Sequence, residues 1–464
     1  MNPNWFAYVA LLAWPLVSVV LFRVLPSVEA LLWTVLGAQM FLPELTELKI
    51  AMLPAIDKNS IASVCALIGC FTAGHRSKTD ARFGLAGMLL AMYLVGPLIT
   101  SYLNGDAVAV GAAVLPGVGL YDGISASISQ FFLILPFYLG RRYLAGTNSV
   151  ETILRVLAIA GLIYSVLMLF EVRMSPQLHR WIYGFFPSDF VTERRSGGFR
   201  PVVFMGHGLI VAFFTVTTAI AAAAFWRASK SISRVPAHIA TVYLGGVLVV
   251  CKSWAALLYG LFLVPLVRIA RPRVQIAAAV TIASIALSYP VIRYLDLFPE
   301  QALLELTTEL IPDRAYSLQT RFKNEDQLLA RASERFLFGW GRYGRNRIYS
   351  EDTGINTSLT DGRWILTIGT WGIFGFVAEF GLLALVVFRA GSACKLASPN
   401  EQIFLAALSL ICAITLFEQL PNASIRPWTW LIAGALLGRS EVLQAKALSR
   451  GIVSSTGRRA IVRS

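Results

Sequence analysis

The sequence predicts an all-α fold, a polytopic transmembrane helix bundle of about 12–13 spans with one long extracytoplasmic loop. Three observations carry that prediction. Apolar residues make up 56% of the 464, and at ~20 residues per bilayer crossing they supply at most about thirteen crossings. Charged residues make up 14% and the mean hydropathy is +0.65, which excludes a soluble globule, a disordered chain and a coiled coil. The apolar runs are continuous and helix-length, whereas an outer-membrane barrel would alternate over ~10-residue strands.

In chain order the predicted spans are 5–22, 27–43, 59–74, 83–103, 123–140, 152–171, 201–225, 237–251, 253–268, 274–292, 363–388, 402–420 and 425–438. The chain thereby divides into an N-terminal transmembrane bundle 1–292, an extracytoplasmic loop 293–362 with amphipathic helices, C-terminal transmembrane helices 363–438 and a basic cytoplasmic tail 439–464. Orientation follows from the loops that hold Lys and Arg. Arg23, then Arg76, Lys78 and Arg82, then Arg141 and Arg142, then Arg227, Lys230 and Arg234 fall in alternate loops. Arg268, Arg271 and Arg273, then Arg389 and Lys395, continue the pattern, and the tail adds Lys446, Arg450, Arg458, Arg459 and Arg463. That side is expected to be the cytoplasm, with the N-terminus outside. No basic residue precedes Trp5, so the first segment is taken as a span and not as a cleaved signal peptide. The same placement assigns the net charge of +14 to topology and to anionic lipid, and sets nucleic acid aside as a partner.

Two spans meet at Cys251-Lys252-Ser253 and must be short or partly embedded. The five cysteines are scattered over spans and loops, so no disulfide framework is expected. His-x-x-x-His, Cys-x-x-Cys, a phosphate-binding Gly loop and Gly-x-Ser-x-Gly are all missing, which removes the usual signatures of zinc hydrolase, ATPase and serine hydrolase. No metal and no cofactor are expected.

Two outer stretches break the apolar monotony, the loop 172–200 and the loop 293–362. The second starts with an amphipathic turn from Pro299 to Pro312 and continues from Ser317 as a helix. Leu318, Phe322, Leu329 and Phe336 would form its apolar stripe until Gly339 and Gly341 end it. Arg195, Arg200, Arg314, Arg321, Arg342, Arg345 and Arg347 lie on this face. A planar guanidinium forks onto phosphate or carboxylate in a way an ammonium does not, so a diphosphate headgroup fits this set. The plainer alternative pairs them with Glu325, Asp326, Glu334, Glu351 and Asp352 on a wet surface.

Around Arg195 and Arg200, a Gly-Gly turn passes through Pro201 into the next predicted span, where His207 would lie one to two turns deep. That ring is either a base facing a cavity or a packed neutral histidine between Gly206 and Gly208. Lys252 is either a snorkelling side chain or a further cation for an anionic headgroup. Glu379 and Glu418, inside predicted spans, are expected to pair with neighbouring helices. Asp361 stands where the long loop re-enters the membrane, and is a candidate general base or simply a helix N-cap.

In their order these features resemble the O-antigen ligase and polysaccharide polymerase superfamily of integral-membrane glycosyltransferases. The resemblance spans most of the chain. It rests on the turn Arg195 to Phe199, on the short hairpin near Ser253, and on Arg321 followed by Leu337, Phe338, Gly339, Trp340 and Gly341. The step Gly372, Ile373, Phe374 and Gly375 in the re-entering helix completes it. Two departures stand out: Trp254 follows Ser253 where these ligases usually carry Arg, and Asp361 occupies the place of a frequent histidine. An exopolysaccharide or O-unit polymerase relative is therefore favoured over a lipid-A ligase.

The resemblance implies transfer of a glycan from an undecaprenyl-diphosphate carrier to a hydroxyl of a second sugar chain, on the outer face of the bacterial inner membrane. The implied partners are the undecaprenyl-diphosphate-linked oligosaccharide, an acceptor glycan, the bilayer and other polysaccharide-assembly membrane proteins. Arg195, Arg200, Arg321 and Lys252 would hold the diphosphate, and Asp361 or His207 would take the acceptor's proton. The rival expectation is a lipid-linked-oligosaccharide flippase or other transporter, which would build its site at midplane from repeat halves.

Overall fold

A computed structural model describes residues 3–49, 55–74, 84–111, 113–195, 197–310, 312–359 and 361–461. Arg76, Lys78, Arg82 and Arg463 lie outside the described residues, as do the side chains of Arg314, Arg450, Arg458 and Arg459. The fold is an all-α helix bundle. Its helices are α1 (Trp5–Val24), α2 (Ser27–Phe41), α3 (Lys58–Thr72), α4 (Gly84–Tyr102), α5 (Leu120–Tyr143), α6 (Ser149–Met174) and α7 (Leu178–Tyr183). They continue with α8 (Gly208–Arg227), α9 (Ala237–Val250), α10 (Trp254–Ile269), α11 (Pro272–Tyr294), α12 (Glu300–Leu310), α13 (Pro312–Ser333), α14 (Arg363–Cys394), α15 (Pro399–Phe417) and α16 (Pro427–Ile461). Among the described residues, the only strands are the small hairpins β1 (Val108–Val110) with β2 (Ala113–Leu115) and β3 (Arg194–Arg195) with β4 (Gly198–Phe199).

Every predicted span falls on a helix. Among the described residues, eight helices are long and apolar enough to cross a membrane, and α2, α3, α9 and α10 are apolar but shorter. The last predicted span and the basic tail prove to be one helix, α16, which runs on to Ile461. The bundle centre is α8, nearly all of it buried, with α6, α9, α10 and α15 packed around it, whereas α1 and α11 are peripheral. Helix α16 packs along α5 closely enough that a Cβ at Gly434 would strike the Phe137 carbonyl and one at Gly140 the Leu431 carbonyl. Small residues give this close backbone approach where lipid offers no hydrophobic drive between helices.

Alternate loops gather at each end. At one end Arg426 pairs with Glu44, Arg335 with Asp106, and Tyr343 with Asp122. At the other Arg141 pairs with Glu441, Lys230 with Glu151, and Arg439 with Glu401.

Two helices depart from expectation. The predicted span 201–225 does not begin at Pro201; α8 starts at Gly208. Helix α14 is broken at Gly372, with φ 66° and ψ −170°, a backbone state open to glycine and closed to residues with a Cβ. Arg363 nonetheless pairs with Glu379 at 2.9 Å, although a straight helix would hold residues sixteen apart about 24 Å from one another. The two halves of α14 therefore fold against each other. The turn is fixed by the 336–341 segment, since Phe336 and Leu337 carbonyls accept from Ile373 and Phe374, and Trp340 and Gly341 donate to Gly369 and Thr370. Phe336, expected on the apolar stripe, lies beyond the end of α13 and is exposed, and Leu328 and Ala332 are buried along α13 with Phe322.

Candidate active site

The site is built from three segments: 189–209, the junction at 361–363, and 418–424. In the first, a single 3-10 turn, Phe190–Glu193, is capped by Asp189, whose carboxylate accepts from Val191 at 3.0 Å. Glu193 is buried behind the β3–β4 hairpin, and its carbonyl accepts from the Arg200 amide at 3.0 Å. Lys252, at the α9–α10 tip with φ 52°, clamps this hairpin from behind. Its ammonium donates to the Arg195 carbonyl at 3.2 Å, and its own carbonyl accepts from Arg200 Nε at 3.2 Å.

After Pro201 the chain runs through an irregular turn, with Val203 and Gly206 at positive φ, and its amides are claimed by α6. Val202 and Val203 both donate to Glu171 Oε2, at 2.8 and 2.7 Å, and Phe204 donates to the Tyr164 hydroxyl at 3.0 Å. These bonds replace the ones a helix would have made, and α8 is delayed by two turns. His207 is therefore not within the helix. It is the N-cap of α8, with Nδ1 accepting from the Leu209 amide at 3.1 Å. An accepting Nδ1 puts the ring proton on Nε2, which lies 3.4 Å from Glu193 Oε1. Burial holds His207 below the ordinary imidazole range against the pull of Glu193, so the ring is neutral near pH 7.

Asp361 precedes α14, but the N-cap of that helix is Gly362. Instead of capping, the Asp361 carboxylate meets Arg321 Nη2 at 3.0 Å. Its neighbour Arg363 is tied to Glu379, two turns past the break in α14, which fixes the backbone beside Asp361, while the Asp361 side chain is about half exposed. Arg321, on α13, also donates to the Pro421 carbonyl at 3.4 Å. The third segment is steadied by Glu418, which accepts from Tyr259 at 2.9 Å and from Asn422 Nδ2 at 2.6 Å. The Asn422 carbonyl accepts from Arg363 at 3.0 Å.

These segments enclose a cavity of about 390 Å³ whose lining includes Arg195, Arg200, His207, Arg321, Asp361, Asn422 and Ser424. Five of the six residues singled out in the sequence are thus brought together, and Lys252 is the one that is not in the wall. The cavity carries three guanidiniums against one lining carboxylate. Arg195 Nε itself is sealed off from the cavity and has no hydrogen-bond partner among the described residues, so the face that Arg195 presents to a guest is the rest of its guanidinium. A second, apolar cavity of about 320 Å³ shares Arg321 and Asp361 and is otherwise walled by residues such as Ile285, Tyr289, Leu318, Phe322, Ile365 and Phe417. A cationic chamber therefore adjoins an apolar groove, and the Arg321–Asp361 pair stands between them.

The other outer arginines have different roles. Arg345 is fully buried and donates to the carbonyls of Trp340, Asp106 and Pro116. Arg331 and Arg335 sandwich onto Trp340, 3.4 and 4.4 Å from its ring centre. Arg342 and Arg347 do not line the cavity. Glu379, expected to pair across helices, pairs with Arg363 at the other end of its own broken helix.

Sequence reasoning missed Glu193, Asn422, Ser424 and the apolar groove. Glu193 directly precedes the Arg-Arg-Ser-Gly-Gly turn, and that adjacency was the available signal. Asn422 and Ser424 fall in the four residues left between two predicted spans, too short a loop to draw notice. No family model matches this chain, and no curated protein matches it.

Proposed function

We propose that the protein is a membrane glycosyltransferase that moves a glycan from a polyprenyl-diphosphate carrier onto a hydroxyl of an acceptor glycan. The observation that carries this reading is the cationic chamber joined to an apolar groove at Arg321 and Asp361. An amphipathic substrate with a short polyanionic head and a long apolar tail matches that pair of cavities in charge and in polarity. Each volume falls in the range of small-ligand pockets.

In this reading Arg195, Arg200 and Arg321 bind the diphosphate by bidentate, charge-assisted hydrogen bonds. The acceptor oxygen bonds the anomeric carbon as the bond from that carbon to the diphosphate oxygen breaks, and the electron pair leaves with the diphosphate. The arginines stabilise the charge that develops there. The acceptor's proton goes to Asp361. Arg321 holds that carboxylate at 3.0 Å in the free protein, and an incoming diphosphate competes for the same guanidinium, which frees Asp361 as substrate arrives. His207 is assigned to positioning, because its accepting nitrogen is already spent on the Leu209 amide. The site-bearing end is assigned to the outer face of the bacterial inner membrane, since the end opposite carries the Lys- and Arg-rich loops.

The test is chain lengthening by purified, reconstituted protein given only diphosphate-linked oligosaccharide, with EDTA present and no ATP. Release of polyprenyl diphosphate together with a longer glycan is expected. Transbilayer movement of the lipid with no lengthening would overturn the transferase reading in favour of a flippase.

A further inference from the structure

A third cavity lies at the end of the bundle opposite the candidate site. It measures about 530 Å³ and is formed where the start of α11, the end of α14 and the start of α15 meet. Its walls are largely apolar, with Ile276, Ala277 and Val280 on α11 and Phe388, Gly391 and Cys394 on α14, and the polar part of the lining is Gln402 with two cations, Arg273 and Lys395. Ala277 and Phe388 are exposed on the outside of the bundle.

The charges in its lining set this cavity apart. Some cations at this end are satisfied within the protein, and others, Arg23, Arg234 and Arg271 with Lys446, make no side-chain hydrogen bond or ion pair among the described residues but do not line this cavity. Arg141 pairs with Glu441, Arg155 and Lys230 with Glu151, and Arg439 with Glu401, while Arg227 donates to the Arg268 carbonyl and Arg389 to Gln444. Arg273 and Lys395 make no hydrogen bond or ion pair among the described residues, and both are exposed. Among the described residues, no carboxylate lines the cavity. Two cations without partners at the end of an apolar, laterally exposed groove are the complement of one phosphodiester attached to acyl chains. Their position at helix ends, Arg273 at the start of α11 and Lys395 just after α14, is where a membrane-spanning bundle meets the headgroup layer.

We propose that this groove is a binding site for one anionic phospholipid, its phosphate held between Arg273 and Lys395 and an acyl chain laid along Ala277, Val280 and Phe388. A zwitterionic headgroup carries its own cation and gains less from the two side chains, so the site discriminates by headgroup charge. The site is remote from the candidate active site and does not depend on that reading.

The experiment is native mass spectrometry of the purified full-length protein, delipidated and titrated with phosphatidylglycerol or with phosphatidylcholine of the same acyl chains. One tightly retained phosphatidylglycerol is expected, with roughly 25-fold weaker retention of phosphatidylcholine, since each of the two cations favours a net anionic headgroup by about fivefold and the two factors multiply. Arg273→Gln with Lys395→Gln should abolish the preference. Ala277→Trp, which fills the groove from its exposed side and leaves both cations in place, should abolish retention of either lipid. Equal retention of the two lipids by the wild type, or a phosphatidylglycerol preference that survives both variants, would overturn the proposal. Displacement of phosphatidylglycerol by millimolar inorganic phosphate would also overturn it, because the apolar wall would then contribute nothing. Melting temperature in lipid-free detergent is recorded for each variant, and a variant more than a few degrees below wild type is replaced by its single-site counterpart.

Discussion

Two clusters of arginine stand at the same end of this bundle, and they differ in how completely the protein occupies their donors. Around Trp340, Arg345 is fully buried and donates to three carbonyls and toward Asp106, while Arg335 reaches the Leu103 carbonyl, Asn104 and Asp106. Around the cavity, Arg321 has a half-exposed carboxylate and one long carbonyl contact. The residue type is the same and the chemistry is opposite. A guanidinium tied down by several acceptors of the protein is a rivet. One held by a half-exposed carboxylate and a single long contact, in the wall of a cavity, can exchange them for a guest.

The largest expected effect breaks the first cluster. Arg345→Ala strands the carbonyls of Trp340, Asp106 and Pro116 in a buried setting and removes a partner from Asp106, whose carboxyl the Arg335 hydrogen bond holds below its usual range. Breaking a buried charged network costs about 3–5 kcal/mol, enough to exhaust much of a typical stability margin. The expected outcome is loss of folded protein in membranes, measured by detergent-solubilised fluorescence size exclusion. Normal yield and melting temperature would show that Arg345 belongs with the cavity arginines.

The next effect falls on the second cluster and spares the fold. Asp361 is about half exposed and does not cap a helix, so Asp361→Asn leaves folding nearly untouched. It removes the proposed proton acceptor, and a rate loss of about 10²-fold or more is expected. Arg321→Lys keeps a charge and loses the fork, so a smaller loss of roughly tenfold is expected, together with weaker binding of the carrier. Both are read from chain lengthening at matched expression. If Asp361→Asn turned over normally, the proton would have to go elsewhere.

The sequence made the bundle legible because continuous apolar runs have no other stable state, and it made the sidedness of the loops legible because charges cannot be buried at will in the membrane. It could not show where helices start and break. Pro201 is an ordinary helix-starting signal, overridden here because Glu171 and Tyr164, some thirty to forty residues upstream, take the amides of 202–204. The reversal of α14 at Gly372 depends on a pairing with 336–341 across the loop. The two Gly-rich motifs that carry the family resemblance are thus partners in one structural joint, which explains their coexistence without assigning either to the chemistry. Of the candidate residues, Arg195, Arg200, Arg321, His207 and Asp361 line one cavity, a meeting that charge type and sidedness made legible without fixing a role for any of them. The capping roles came out reversed, since the histidine caps a helix and the aspartate does not.

That reversal supplies the smallest and most discriminating test. Asn accepts a hydrogen bond from the N2 amide as well as any cap, so His207→Asn should keep α8 in place, with stability changed by no more than about 1 kcal/mol. It should also change how stability responds to acid. His207 is held below its unfolded value of about 6.5 by burial, so the unfolded chain binds the extra proton first. The capping contribution is therefore complete above about pH 6.5 and is lost as pH falls toward the lower folded value. Protonation also ends the cap itself, because Nδ1 can no longer accept from Leu209. Wild-type protein should lose melting temperature between pH 6.5 and 5 by more than His207→Asn does, and at pH 7.5 the variant should lengthen glycan within a few-fold of wild type. A variant that melts normally at pH 7.5 yet turns over about 10²-fold more slowly would place a proton on the ring during the reaction, and the assignments of His207 and Asp361 would have to be exchanged.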